Sequence, residues 1–225
     1  MVLTDEGWRQ LWRAVAERLA VERAAGRGHL LTEDVVRYQT VLAFGDLGVA
    51  PGRLVAEYLS PHLRGGKIDL IVDAPSGAAI EFKFPRDSPT GTSADTMTLG
   101  ELLKDVIRIP RLAAEAAWIV QVLNPRLARY LRDACTRLTL AWPFTGEQAI
   151  LTGEVLAGLP LTAARALGRY TLPGTVRLEC RAVHVVDDAL ALYAHHVTTE
   201  PAPMTPMPRD HVPPVVAPAV PPHRR

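Results

Sequence analysis

Three charged side chains, Asp69, Glu81 and Lys83, interrupt two short apolar runs between Lys67 and Phe84, and their spacing places them together. Lys67 to Val72 and Ala79 to Phe84 read as two short strands joined by a tight turn over Asp73 to Gly77. Side chains alternate along a strand, so Glu81 and Lys83 share one face and Ile80, Phe82 and Phe84 share the other. If the strands pair as a hairpin, Asp69 comes near Glu81. Two carboxylates and an ammonium then occupy one patch of an apolar sheet. Charges in such a setting must be paired or must hold a metal. A divalent cation is the simplest solution: two carboxylates, with the other positions left to water and substrate, suit Mg²⁺. The neighbouring lysine can then offset charge developing on a phosphate or orient the attacking water.

Asp69, eleven intervening residues and then Glu81, Phe82 and Lys83 resemble the D…(D/E)-x-K signature of the PD-(D/E)xK nuclease superfamily, the restriction-endonuclease-like fold. Ile68 stands where that family usually has proline. The resemblance implies a metal-dependent nuclease acting on nucleic acid, with DNA the expected substrate. Asp69 and Glu81 would hold Mg²⁺, with Mn²⁺ as a substitute, the Phe82 carbonyl would add a ligand, and Lys83 would position the water. It also implies a product carrying a 5′-phosphate, and a homodimer where both strands are cut. In this family an acid on the first core helix often completes the metal site, which makes Glu33 a fourth catalytic candidate; ordinary compensation of the helix dipole explains it equally well.

The elements that must position these residues follow from pattern. Thr32 can cap a helix running to Gly45. Arg53 to Leu59 alternates as a strand ahead of the hairpin, so that three strands form an antiparallel meander; Glu57 on the first of them is either a further inward acid or an exposed one. Pro85 to Met97 is polar and predicts a mobile loop. A capping box at Thr98 and Glu101 predicts the start of the next helix, with Leu102, Val106 and Ile109 on its apolar stripe. Lys104 and Arg108 fall on another face, either solvated or in contact with phosphate. The run from Ala116 to Leu123 reads as a strand buried on both faces. The expected fold is therefore α/β, a mixed sheet flanked by helices. Its α-β-β-β-α-β order over residues 32 to 123 matches the core of the restriction-endonuclease-like fold.

An amphipathic helix carrying Trp8 and Trp12 precedes that core, within residues 1–28. The core is assigned to residues 29–135, and an αβ extension of the same domain to 136–199, with a helix over Leu161 to Leu167 and a hairpin from Thr175 to Val197. His195 and His196 are adjacent on that hairpin, face opposite ways and are expected at the surface. Nine prolines fall in the last 25 residues, so 200–225 reads as a disordered tail.

A net charge of +1 gives no global signature of a nucleic-acid binder, so any basic groove must be local. Cys135 and Cys180 have no partner at metal spacing and read as buried free thiols. No apolar run reaches membrane-span length and the N-terminus does not read as a signal peptide, so a cytoplasmic protein without membrane contact is expected. The chain lacks a Gly-x-Ser-x-Gly elbow, a phosphate-cradling loop before Lys-Ser/Thr and a His-Glu-x-x-His pair. The competing class is a catalytically inactive module on the same scaffold that binds nucleic acid or protein, with Glu81 and Lys83 as an ion pair.

Overall fold

The computed structural model describes residues 3–60, 63, 66–74, 77–85, 92–112, 114–140, 145–172 and 174–201, the side chains of 92–94 and 201 excepted. Helix α1 spans Asp5–Ala24. The Thr4 hydroxyl accepts the Gly7 amide at 3.2 Å, so one of the N–H groups that every helix start leaves over is satisfied. Helix α2 spans Glu33–Asp46 and is capped in the same way by Thr32, which accepts from Val35. Three antiparallel strands follow: β1, Leu54–Leu59; β2, Lys67–Val72; and β3, Ala78–Lys83. The turn into β3 needs glycine at 77, because a Cβ there would overlap the Val72 carbonyl oxygen.

Helix α3, Thr92–Arg108, carries the chain back to β4, Ala116–Leu123, which pairs parallel to β3. All eight residues of β4 are buried, as a central strand covered on both faces requires. Next come α4 (Pro125–Arg137), β5 (Gln148–Leu151), α5 (Gly153–Ala157), α6 (Leu161–Leu167), β6 (Gly174–Asp187) and β7 (Leu190–Pro201). The hairpin of β6 and β7 joins the far side of β4, giving one seven-stranded mixed sheet in the order β1-β2-β3-β4-β7-β6-β5.

Strand alternation sorts the core into two layers. On one face Trp8, Trp12 and Phe44 of α1 and α2 pack on Ile80, Phe82, Trp118 and Val120, with the rings of Trp8 and Trp118 4.9 Å apart. On the other face Leu99, Leu102, Leu103 and Val106 of α3 cover Ile71, Ala79 and Ile119, and α4 and α6 complete the layer. Glu81 and Lys83 share the α3 face with Ala79. Gly100 lets α3 approach α6 closely; a Cβ there would overlap the Ala163 carbonyl oxygen.

Three expectations change. Helix α3 begins at Thr92, so Thr98 and Glu101 lie inside it rather than at a cap; of the expected loop, 86–91 lie outside the described residues. Helix start signals are local, and Asp95, buried and bonded to Arg126, extends the helix backwards through a contact made far along the chain. His195 is 0 % exposed rather than superficial, because β7 is an inner strand. Glu200 and Pro201, assigned to the tail, end β7 instead; 202–225 lie outside the described residues. Cys135 and Cys180 are buried and free. No helix among the described residues is long and apolar enough to cross a membrane.

Candidate active site

The site forms where the β2/β3 ladder stops. Backbone pairing runs from Val72↔Ala78 to Leu70↔Ile80. Beyond it the Asp69 side chain takes over, and the Phe82 amide donates to Asp69 Oδ2 at 2.7 Å. Losing one backbone bond therefore fixes a carboxylate against the start of the Glu81-Phe82-Lys83 segment. Lys83 donates from Nζ to the Phe82 carbonyl at 2.9 Å, and the same ammonium lies 3.0 Å from Asp105 Oδ2 and 3.8 Å from Glu33 Oε2. Arg108, one turn along α3, contacts Glu81 and reaches Asp105 Oδ1 at 3.1 Å. On the other flank Arg37 of α2 lies 3.8 Å from Asp69 Oδ1 and also pairs with Glu57 and Asp34. Lys67 closes the outer edge, 3.2 Å from Glu57.

Glu81 is 1 % exposed. Burial, then the charges of Asp105 and Asp69, push its carboxyl well above the ordinary glutamate range, with Arg108 opposing and a side-chain hydrogen bond with Asp69 adding to the rise. Burial likewise raises Glu33, against the pull of Lys83. For Lys83 burial acts downward, but Asp105, Glu33 and Glu81 outweigh it and hold the ammonium above the usual lysine value. Lys83 is thus a fixed positive charge at neutral pH.

The sequence-derived candidates come together in part. Asp69, Glu81, Lys83 and Glu33 meet at one end of β3. The Phe82 carbonyl is also present, engaged by Lys83. Lys104 and Arg108 do not form a common outward row: Lys104 pairs with Glu101, whereas Arg108 turns inward to Glu81 and Asp105. Nor is Glu81 the ion-pair partner of Lys83, since its contacting cation is Arg108 and Lys83 sits between Asp105 and Glu33. Glu57 is exposed, and an inward ligand role does not fit its position outside Arg37.

Two site residues escaped the sequence reading. Asp105 lies within the apolar stripe of Leu102, Val106 and Ile109 and is buried; an acid on a helix face made of leucines and isoleucines was the available signal. Gln121 of β4 sits beside Lys83 in the parallel register and is 1 % exposed. A single amide in an apolar strand was a weaker hint.

The donors here are hard oxygens, which suits Mg²⁺ rather than a softer metal. Among the described residues no three His, Cys, Asp or Glu side chains form a ready metal cluster. A cation would therefore rest on few protein ligands and keep much of its water, as Mg²⁺ does. Compared with family models, curated proteins and solved structures, the chain matches none.

Proposed function

We propose that the protein is a Mg²⁺-dependent nuclease of the PD-(D/E)xK type, hydrolysing phosphodiester bonds of nucleic acid, with DNA the expected substrate. The observation that carries this reading is the carboxyl pair of half-buried Asp69 and buried Glu81, set beside the Lys83 ammonium at the end of an antiparallel meander. The helix, three strands, helix and parallel strand around it follow the order of the restriction-endonuclease-like core.

Asp69 and Glu81 would hold the cation, which when bound supplies Lewis-acid activation of water and of the phosphate oxygen. Lys83, kept protonated by Asp105 and Glu33, offsets the charge that builds on the non-bridging phosphate oxygens; its raised pKa makes it a poor base. Glu33 is the more exposed of the two carboxylates beside Lys83 and is placed to accept a proton from the attacking water. A P–O bond forms to that water as the bond to the 3′ oxygen breaks, and the leaving oxygen takes a proton from solvent, leaving a 5′-phosphate and a 3′-hydroxyl. Arg108 and Asp105 position Glu81 and Lys83 from behind.

Cleavage of single-stranded, duplex and branched DNA and of RNA, with Mg²⁺ or Mn²⁺, tests this. Wild-type protein should cut at least one substrate only with metal, and Lys83→Met should lower the rate by about 10²–10³-fold. Equal background with both proteins on every substrate would refute the proposal. A second reading, a non-catalytic binding module, is favoured by one observation: Arg108 already gives Glu81 an ionic partner.

A further inference from the structure

Over most of the described surface an arginine meets a carboxylate: Arg18 pairs with Asp46, Arg23 with Asp187, Arg53 with Asp73 and Arg181 with Asp5. The layer made by α4 and α6 is different. Residues 125–170 carry six arginines against three acids, Asp133, Glu147 and Glu154. Arg126 is paired with Asp95. Arg129 and Arg137 of α4 are exposed, as are Arg165 on α6 and Arg169 just after it. The side chains of these four have no hydrogen-bond or ion-pair partner among the described residues. Like charges gathered without partners weaken the folded state through repulsion, and the complement of such a face is a polyanion.

The face adjoins the candidate site. Helix α4 begins at the end of β4, which lies in parallel register beside β3, and its Leu131, with Leu123, lines the cavity beside Lys83 and Glu33. Its inner side thus walls the approach to the site while its outer side exposes Arg126, Arg129, Arg132 and Arg137. Helix α6 continues the surface, because both helices meet α3 one turn apart: Thr96 bonds to the Tyr130 hydroxyl at 2.8 Å, and Gly100 abuts Ala163. Lys104 and Arg108 are turned to carboxylates and leave this role open. The 13 residues of α4 extend about 20 Å, the rise of about six phosphates along one strand of a duplex. Guanidinium forks match phosphate oxygens. Single strands are held by stacking on aromatic rings, whereas the described aromatics of this stretch are engaged, Tyr130 by Thr96 and Tyr170 beneath Arg111. Resting on the nuclease reading above, we propose that the outer face of α4, extended by Arg165 and Arg169, binds the phosphate backbone of duplex DNA and leads it to the site.

Fluorescence anisotropy of the full chain with a labelled duplex of about 20 bp, in EDTA and at about 50 to 200 mM KCl, tests this apart from cleavage. Four phosphate contacts predict that wild-type affinity falls about a hundredfold or more across that salt range. In the quadruple variant Arg129→Gln/Arg137→Gln/Arg165→Gln/Arg169→Gln the slope of log K against log salt should drop by about 3–4, equally for unrelated sequences. Arg129→Gln alone should lower it by about 1. Arg13→Gln, an exposed arginine of α1 on the opposite face of the sheet, should leave it unchanged. All these side chains are exposed, so the variants should keep the wild-type Tm. Wild-type binding by the quadruple variant overturns the proposal, as does an equal loss in Arg13→Gln. Tighter binding of a single strand, or of polyglutamate of the same charge, also overturns it. Metal-dependent cleavage that Lys83→Met removes, together with unchanged binding by the quadruple variant, would refute the surface and leave the nuclease reading standing. Salt-steep duplex binding lost in that variant, without cleavage under any metal, would do the reverse.

Discussion

Replacing Arg108 by methionine keeps the length of the side chain and removes the guanidinium that contacts both Glu81 and Asp105. The side chains of Glu81 and Asp105 are 2 % and 3 % exposed, so neither can recover its lost partner from water. Breaking a buried pair by removing one member costs about 3–5 kcal/mol, because the other charge is left uncompensated. For a chain of this size each kcal/mol lowers Tm by about 2–4 °C, so the expected fall is on the order of 6–20 °C at neutral pH.

The pH dependence has a definite sign. Glu81 binds its proton more tightly in the folded protein than in the unfolded chain, so its contribution to stability falls as pH rises from the ordinary glutamate value through the raised folded one. Without Arg108 the carboxyl rises further and that window widens. The deficit of Arg108→Met should be smallest near the ordinary carboxylate range and largest at neutral pH. Millimolar Mg²⁺ should restore part of it by supplying the missing positive charge. Thermal unfolding of both proteins between about pH 4.5 and 8.5, with and without Mg²⁺, measures all three effects. Equal Tm values at neutral pH, or a deficit that grows as pH falls, would refute the reasoning.

Gln121→Leu should raise Tm by a few degrees, since it removes a buried amide nitrogen with no partner among the described residues, a group worth about 1–3 kcal/mol of penalty; a lower Tm in thermal unfolding would show that the amide is satisfied after all. Gly100→Ala should destabilise by about 1–3 kcal/mol in denaturant unfolding although alanine is the better helix former, because its Cβ would overlap the Ala163 carbonyl and lie 2.8 Å from the Ala166 Cβ. Burial pushes the Cys135 and Cys180 thiols up to about 12, so mass spectrometry after iodoacetamide treatment near pH 8 should find both unmodified in the folded protein and both alkylated in denaturant.

Periodicity and capping made most of the core readable before any coordinates. Thr32 marks the start of α2, strand alternation separates Glu81 from Phe82, and the unbroken apolar run of β4 announces a strand covered on both faces. Each of these signals is local. What was not readable depends on distant contacts. Asp105 and Arg108 look like ordinary helix polarity until α3 is laid over β3, where both turn inward. His195 is buried because β7 inserts beside β4, a pairing made across about 70 intervening residues of chain that no local pattern encodes. Strand β5 is four residues long at the edge of the sheet, too short for its alternating burial to stand out. The candidate site was thus visible as Asp69, Glu81, Lys83 and the helix-borne Glu33, while Asp105 and the inward turn of Arg108, which hold them in place, were not.

Calorimetric titration of Mn²⁺ into the protein, without nucleic acid and at a pH where Glu81 is deprotonated, tests the central claim most directly. The account predicts one saturable site that weakens as pH falls, since the cation must displace the proton held at the carboxyl pair, and that is lost in Asp69→Asn. No saturable heat in the wild-type protein, or an equally tight site in Asp69→Asn, would contradict it.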